Sequence, residues 1–215
     1  MQDQNSLTTA LRAYAEVADP SPDAGERDWD DTGLPRGIRT DSHAKGDEYV
    51  PSGNARFDAI VRAANPRFHY GAIAGYSRDS DDGGKTFFDY IMFPPMAAFP
   101  TKQNYIRTLS HELVHWTQGK GRGGERAPAG MSDTERFLAQ LMGHMPASYV
   151  QEELTAEIGA TLLLDAVGED PKMEARAQYV ANWESAAHPE YRDRLFTAAE
   201  ADAKRAVNWL LSLVA

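Results

Sequence analysis

The chain contains no cysteine. Disulfides and thiolate-ligated metal are thereby excluded, so a strong metal site would have to be built from histidine and carboxylate. No apolar run approaches the roughly 20 residues that a membrane-spanning helix needs, and no membrane partner is expected. Met1 to Thr9 carries neither a basic cluster nor an apolar block, the two marks of a signal peptide, and a cytoplasmic location is the expectation. Positive charge is scarce: 22 Lys and Arg stand against 32 Asp and Glu, a formal net charge of −10. Broad attraction to nucleic acid or anionic lipid draws on clustered cations and is not expected.

What is present suits one well-cored domain of 215 residues, 42% hydrophobic and 10% aromatic. Residues 1–53 read as an extension. Ser6 to Ala18 spaces Leu7, Leu11, Tyr14 and Val17 on one helical face, and Asp19 to Gly53, rich in Pro, Gly, Asp and Ser, reads as irregular. Residues 54–215 read as the domain. Ser52 precedes a helix over Ala55 to Ala64 with Phe57, Ile60 and Val61 on its apolar side. Phe68 to Tyr70, Ile73 to Tyr76 and Thr86 to Phe93 are rich in aromatic and branched residues. With turn residues from Asp79 to Gly84 and a stop at Pro94-Pro95, they predict two or three antiparallel strands. Helices are then expected over Thr101 to Gln118, from the capping box Ser132-Asp133-Thr134-Glu135 to Met145, and over Ala147 to Val167, Pro171 to Ser185 and Pro189 to Val214. The expected class is α+β, mainly helical, with a small antiparallel sheet beside the first of these helices. The strand from Thr86 to Phe93 is read with a free edge able to pair with an extended peptide.

The chemistry concentrates in Leu109-Ser110-His111-Glu112-Leu113-Val114-His115-Trp116, an H-E-x-x-H pattern. On a helix His111 and His115 lie one turn apart on one face and can present two imidazole nitrogens to one metal ion, with Glu112 beside them as a base. The uncharged flanks suit a buried helix. A zinc site of this kind needs a third protein ligand and an open position for water. Glu153 and Glu157 lie one turn apart on a helix otherwise filled with Ala, Gly and Leu, where acids cost stability unless a cation compensates. Glu153 is read as the third ligand and Glu157 as an acceptor for a ring N–H of a ligand histidine. Glu152 is the rival ligand if the register is off by one. His43, His69, His144 and His188 lack partners at ligand spacing, and Lys120, Arg122 and Arg126 read as a solvated glycine-rich loop. His144 or Tyr149 is a candidate to stabilise an oxyanion.

Phe87-Phe88-Asp89-Tyr90-Ile91-Met92-Phe93-Pro94-Pro95, Phe99, and Tyr105 to Thr117 through the motif resemble the metallopeptidase domain of the ArdC antirestriction and phage polyvalent protein family. So do Tyr149 to Ala160, Tyr179 to Trp183 and Leu195 to Ala199, in the same order between Asn54 and Leu211. The resemblance implies a zincin-like fold, a divalent metal, zinc before others, and His111, Glu112, His115 and Glu153 as ligand, base, ligand and ligand. Family members with antirestriction activity carry an N-terminal single-stranded-DNA-binding domain, which Met1 to Gly53 is neither large nor basic enough to supply. Nucleic-acid binding is therefore not expected of this chain alone. The expected function is zinc-dependent hydrolysis of a protein or peptide substrate, serving plasmid or phage counter-defence. The alternative is a non-catalytic zincin scaffold that binds and inhibits a host defence or DNA-processing enzyme.

Overall fold

The computed structural model describes residues 9, 47–71, 74–80, 87–126, 139, 141 and 143–215. Most of the expected helices over Ser6 to Ala18 and Ser132 to Met145 lies outside the described residues, as do His43, the turn after Ser80 and the strand positions Ile73 and Thr86. Among the described residues no helix is long and apolar enough to cross a membrane.

Helix α1, Ala55–Ala64, buries Phe57, Ile60 and Val61 as their spacing predicts. Its N-cap is Asn54, whose side chain accepts from the Phe57 amide at 3.0 Å, rather than Ser52. Ser52 serves another end. With Tyr49 and Gly53 it surrounds the buried carboxylate of Asp58, which accepts from the Ser52 hydroxyl (2.7 Å) and amide (2.8 Å), the Tyr49 hydroxyl (2.7 Å) and the Gly53 amide (3.1 Å). Burial alone would raise this carboxyl, but those bonds to its ionised form hold it below the ordinary aspartate value of 3.8. Its contribution is therefore complete above the unfolded value and lost as pH falls through the lower, folded one. Asp58→Ala strands four donors and is expected to cost about 2–3 kcal/mol near neutral pH, measured by urea unfolding, with a smaller difference from the parent in strong acid.

Three strands follow: β1, Arg67–Tyr70, β2, Gly75–Ser80, and β3, Phe87–Phe93, in the order β1-β3-β2. The sheet is mixed and not antiparallel throughout. β2 and β3 form the expected antiparallel pair, while β3 lies parallel to β1 with Arg67 opposite Tyr90. The reason is in β3 itself. Tyr90, Ile91, Met92 and Phe93 are all buried, so both faces of the strand are apolar, which suits a central position better than an edge. The free edge expected for β3 is thus not there, since Tyr90 to Met92 are paired on both sides. Asp47 bridges to Phe68 along β1, whereas β2, of polar sequence, pairs with β3 alone among the described strands.

Helix α2, Lys102–Trp116, starts at Thr101, whose hydroxyl accepts from the Asn104 amide at 3.1 Å. It is buried on every side from Leu109 to Trp116. It crosses α3, Ala147–Ala166, which is equally enclosed from Leu154 to Leu164. The crossing depends on Gly159: a Cβ there would stand 2.8 Å from Val114 Cγ1 and 2.9 Å from Cγ2. Any larger residue would push apart the helix that carries the histidines and the helix that carries the glutamates. Helices α4, Met173–Ala186, and α5, Arg192–Ser212, close the core, with Ala199, Ala203 and Ala206 giving α5 a small-residue face against α3.

Candidate metal centre

One turn of α2 separates His111 from His115, and both are buried. Their Nε2 atoms lie 3.0 Å apart. Across from them on α3, Glu153 Oε2 lies 3.6 Å from His111 Nε2 and 3.7 Å from His115 Nε2. A circle through three points at these separations has a radius of about 2.0 Å, the length of a bond from zinc to nitrogen or oxygen. Among the described residues, His111, His115 and Glu153 form the group able to hold a metal ion.

The outer nitrogens support this reading. His115 Nδ1 lies 2.8 Å from Glu152 Oε1, and His111 Nδ1 lies 3.0 Å from Glu157 Oε1. The second contact has the distance of a hydrogen bond but not its alignment, so it is the weaker of the two. With His115 Nδ1–H donated to Glu152 and His111 Nδ1–H on the side of Glu157, the two Nε2 atoms would face one another and Glu153 with their lone pairs. Such an arrangement is repulsive unless a proton or a metal cation lies between them.

Each outer carboxylate has an arginine behind it. Arg126 faces Glu152 with Nε toward Oε2 and Nη2 toward Oε1, and also donates to Thr117 Oγ1 (3.0 Å), the Gly124 carbonyl (2.8 Å) and the Val114 carbonyl (3.1 Å). Arg176, from α4, pairs through Nη1 with Glu157 Oε2 and donates to the Arg107 carbonyl at 3.0 Å.

Burial would lower both histidines, but the Glu157 charge and hydrogen bonding with Glu153 and Glu157 raise His111 to about 9. Glu152 and Glu153 raise His115 well above its ordinary value. In turn, burial would raise the acids, yet His115 and Arg126 lower Glu152, the two histidines hold Glu153 far down, and Arg176 and His111 bring Glu157 to about 2. Three ionised carboxylates outnumber two guanidiniums by one charge; protonated imidazoles supply it without a metal, and a divalent ion with neutral imidazoles would supply it instead.

The rival ligand Glu152 therefore stands behind His115, while Glu153 faces both Nε2 atoms and Glu157 stands behind His111. Glu112 is buried on α2 next to His111. Of the basic loop read as solvated, Lys120 is exposed, but both arginines are engaged. Arg126 joins the centre, and Arg122 lies over the Trp116 ring at 3.5 Å and pairs with Asp89 of β3, whose Oδ1 also accepts from Tyr76 at 2.9 Å. The other described histidines lie outside the metal-holding group: His69 packs edge-on against Tyr90, and His144 against His188. Tyr149 stands one turn before Glu153 and packs edge-on against Trp183. The roles of Glu152, Arg126 and Arg176 escaped sequence reasoning. Only the pairing of two buried acids with no visible counter-ion hinted that arginines had to come from elsewhere.

A family model described as zincin-like metallopeptidase matches residues 56–201. The chain belongs to this family. Among curated relatives, two Escherichia coli proteins named DNA primase TraC are 34% identical over 162 residues, covering 73% of this chain, and 30% identical over 158 residues, covering 71%. The chain spans only 13% and 10% of their lengths. Among solved structures, the zincin-like chain is similar to the Mn(II)-bound crystal structure of antirestriction protein ArdC from plasmid R388, with a TM-score of 0.53, 28% identity, and coverage of 79% of this chain and 54% of that one. The metal-free ArdC structure gives a TM-score of 0.50, 28% identity, and coverage of 83% and 56%. The resemblance read from the motif stretches, and the α+β zincin-like fold it implied, are borne out.

Proposed function

We propose that this zincin-like domain is a metal-dependent peptidase, with His111, His115 and Glu153 as ligands, Glu112 as general base, and Glu157 and Glu152 as the carboxylates that fix the two histidine tautomers. The observation that carries this reading is the triangle of Nε2, Nε2 and Oε2, sized for one ion and backed on both rings by acids. A divalent ion bound there, zinc in the first place, supplies a Lewis acid for the scissile carbonyl and lowers the pKa of water toward neutrality. Glu112 takes the proton of the attacking water and passes it to the leaving amine, so that a poor leaving group departs neutral. Its burial keeps that carboxylate out of bulk water.

An extended segment of a protein substrate adds to the outer edge of β2. That edge replaces β3, which has neighbours on both sides. α2 packs against β2 as well as β3, so a chain along β2 runs close to the motif helix. ArdC is an antirestriction protein by name. By that kinship the substrate belongs to a host defence or DNA-processing system, and the domain acts in the cytoplasm on protein rather than on nucleic acid.

Stripping the protein with a chelator and restoring zinc tests the reading. Cleavage of an unfolded protein, followed by mass spectrometry, is expected to vanish on stripping and return with one equivalent of zinc. Cleavage that persists without metal would overturn it. Full metal binding with no cleavage of any unfolded or candidate host protein would favour the non-catalytic inhibitor.

A further inference from the structure

Glu152, Glu153 and Glu157 are chemically alike and share one helix, yet only Glu153 turns toward both Nε2 atoms. The other two are each gripped by an arginine distant in sequence. A carboxylate behind a ligand histidine orients the ring only while its oxygen stays at Nδ1, and several rotatable bonds separate that oxygen from the helix backbone. A guanidinium fork can fix it, provided the fork is itself fixed. Arg126 is so fixed, by Val114, Thr117 and Gly124 around the end of α2, and Arg176 by the Arg107 carbonyl.

We propose that Arg126 and Arg176 are positioning residues for the metal centre: each holds one outer carboxylate against one ligand histidine and thereby sets how tightly His111, His115 and Glu153 hold a divalent ion. This rests on the ligand assignment made above. The contribution is larger at Arg126, because its two contacts to Glu152 form a fork and Glu152 meets His115 Nδ1 in good alignment, whereas Arg176 contacts Glu157 through Nη1 and Glu157 meets His111 off-line.

A positive charge near the site also repels a cation. The two effects oppose each other, so the direction of the change on substitution tells them apart. Lysine keeps the charge and discards the fork. A role through charge alone leaves affinity unchanged in Arg126→Lys and tightens it in Arg126→Met. A positioning role loosens binding in both.

The test is zinc affinity of the full chain by competition with a chromophoric chelator, for the parent, Arg126→Lys, Arg126→Met and Arg176→Lys. The parent is expected to bind one zinc, Arg126→Lys to bind it about tenfold or more weakly, and Arg176→Lys to show a smaller loss. Imidazole NMR of the zinc-loaded forms supplies a reading that general loosening would not reproduce. In Arg126→Lys the Nδ1–H of His115 should exchange faster with water while that of His111 keeps the parent rate, and Arg176→Lys should show the reverse. Should Arg126→Lys fail to fold, Glu152→Gln, which keeps an acceptor oxygen and loses the ionic grip, carries the same expectation of weaker binding. Zinc binding in the variants equal to or tighter than the parent's overturns the proposal. A parent that binds no zinc overturns the ligand assignment and the proposal with it.

Discussion

Glu112→Gln is expected to lower peptide hydrolysis by about 10²–10⁴-fold, the usual contribution of a positioned general base. Glutamine fills the same volume and can still hydrogen-bond, but it cannot take a proton from water. Glu112 is not among the atoms that meet at the ligand triangle, so zinc content should stay at the parent's level. The melting temperature should change little, because the substitution leaves no cavity on a helix that is buried on every side here. Hydrolysis rates for parent and variant, each normalised to bound zinc, check the expectation. Equal turnover would remove Glu112 from the mechanism and leave the metal site standing.

His115→Ala acts one step earlier. On the proposed ligand set it removes one of three ligands, a larger change than losing a carboxylate behind a ligand, which typically costs about 10–100-fold, so the loss of affinity is expected on the order of 10³-fold. Glu152 loses its histidine but keeps Arg126, which spares the variant an unpaired buried acid. Folding should therefore survive while metal does not. Elemental analysis of purified variant and parent, with circular dichroism as the control for folding, separates the two. Full zinc occupancy in the variant would exclude His115 as a ligand.

How much of this was legible in the sequence depended on distance along the chain. The histidine pair and its base announce themselves within five residues, because helical periodicity alone brings them to one face. The helices after Thr101 could be placed from apolar spacing and from proline and glycine punctuation, and α2, α3, α4 and α5 fall close to those limits. The acids of α3 were visible as a costly cluster, but which of Glu152 and Glu153 faces the histidines turns on the helix crossing at Val114 and Gly159, and no local pattern encodes that crossing. Arg126 and Arg176 were illegible for a similar reason. They lie 26 and 19 residues from the acids they pair with, and a buried arginine reads in sequence like a surface one. β3 misled in a different way. Its run Tyr90-Ile91-Met92-Phe93 is apolar on both faces, the mark of a central strand, but its second partner, β1, pairs with it in parallel and precedes β2 in the chain, which no hairpin pattern announces. The proposed substrate edge consequently moves to β2, which runs over Gly75–Ser80, where strand pattern is legible only as far as Tyr76 and turn residues begin at Asp79.

The arginine pairs also bear on why three acids can sit in the core of an acidic protein. Each outer glutamate exchanges its hydration for a histidine on one side and a guanidinium on the other, and Glu153 has the two histidines. Glu153, the proposed ligand, is thus the one acid of the three with no arginine paired to it among the described residues, which leaves it available to a cation.

Anomalous scattering from crystals of the zinc-loaded protein, collected on both sides of the zinc absorption edge, tests the metal centre most directly. The predicted result is a peak bonded to Nε2 of His111, Nε2 of His115 and the carboxylate of Glu153, with Glu152 and Glu157 behind the two rings. A peak ligated by Glu152 in place of Glu153, or no peak at the histidine pair, would contradict it.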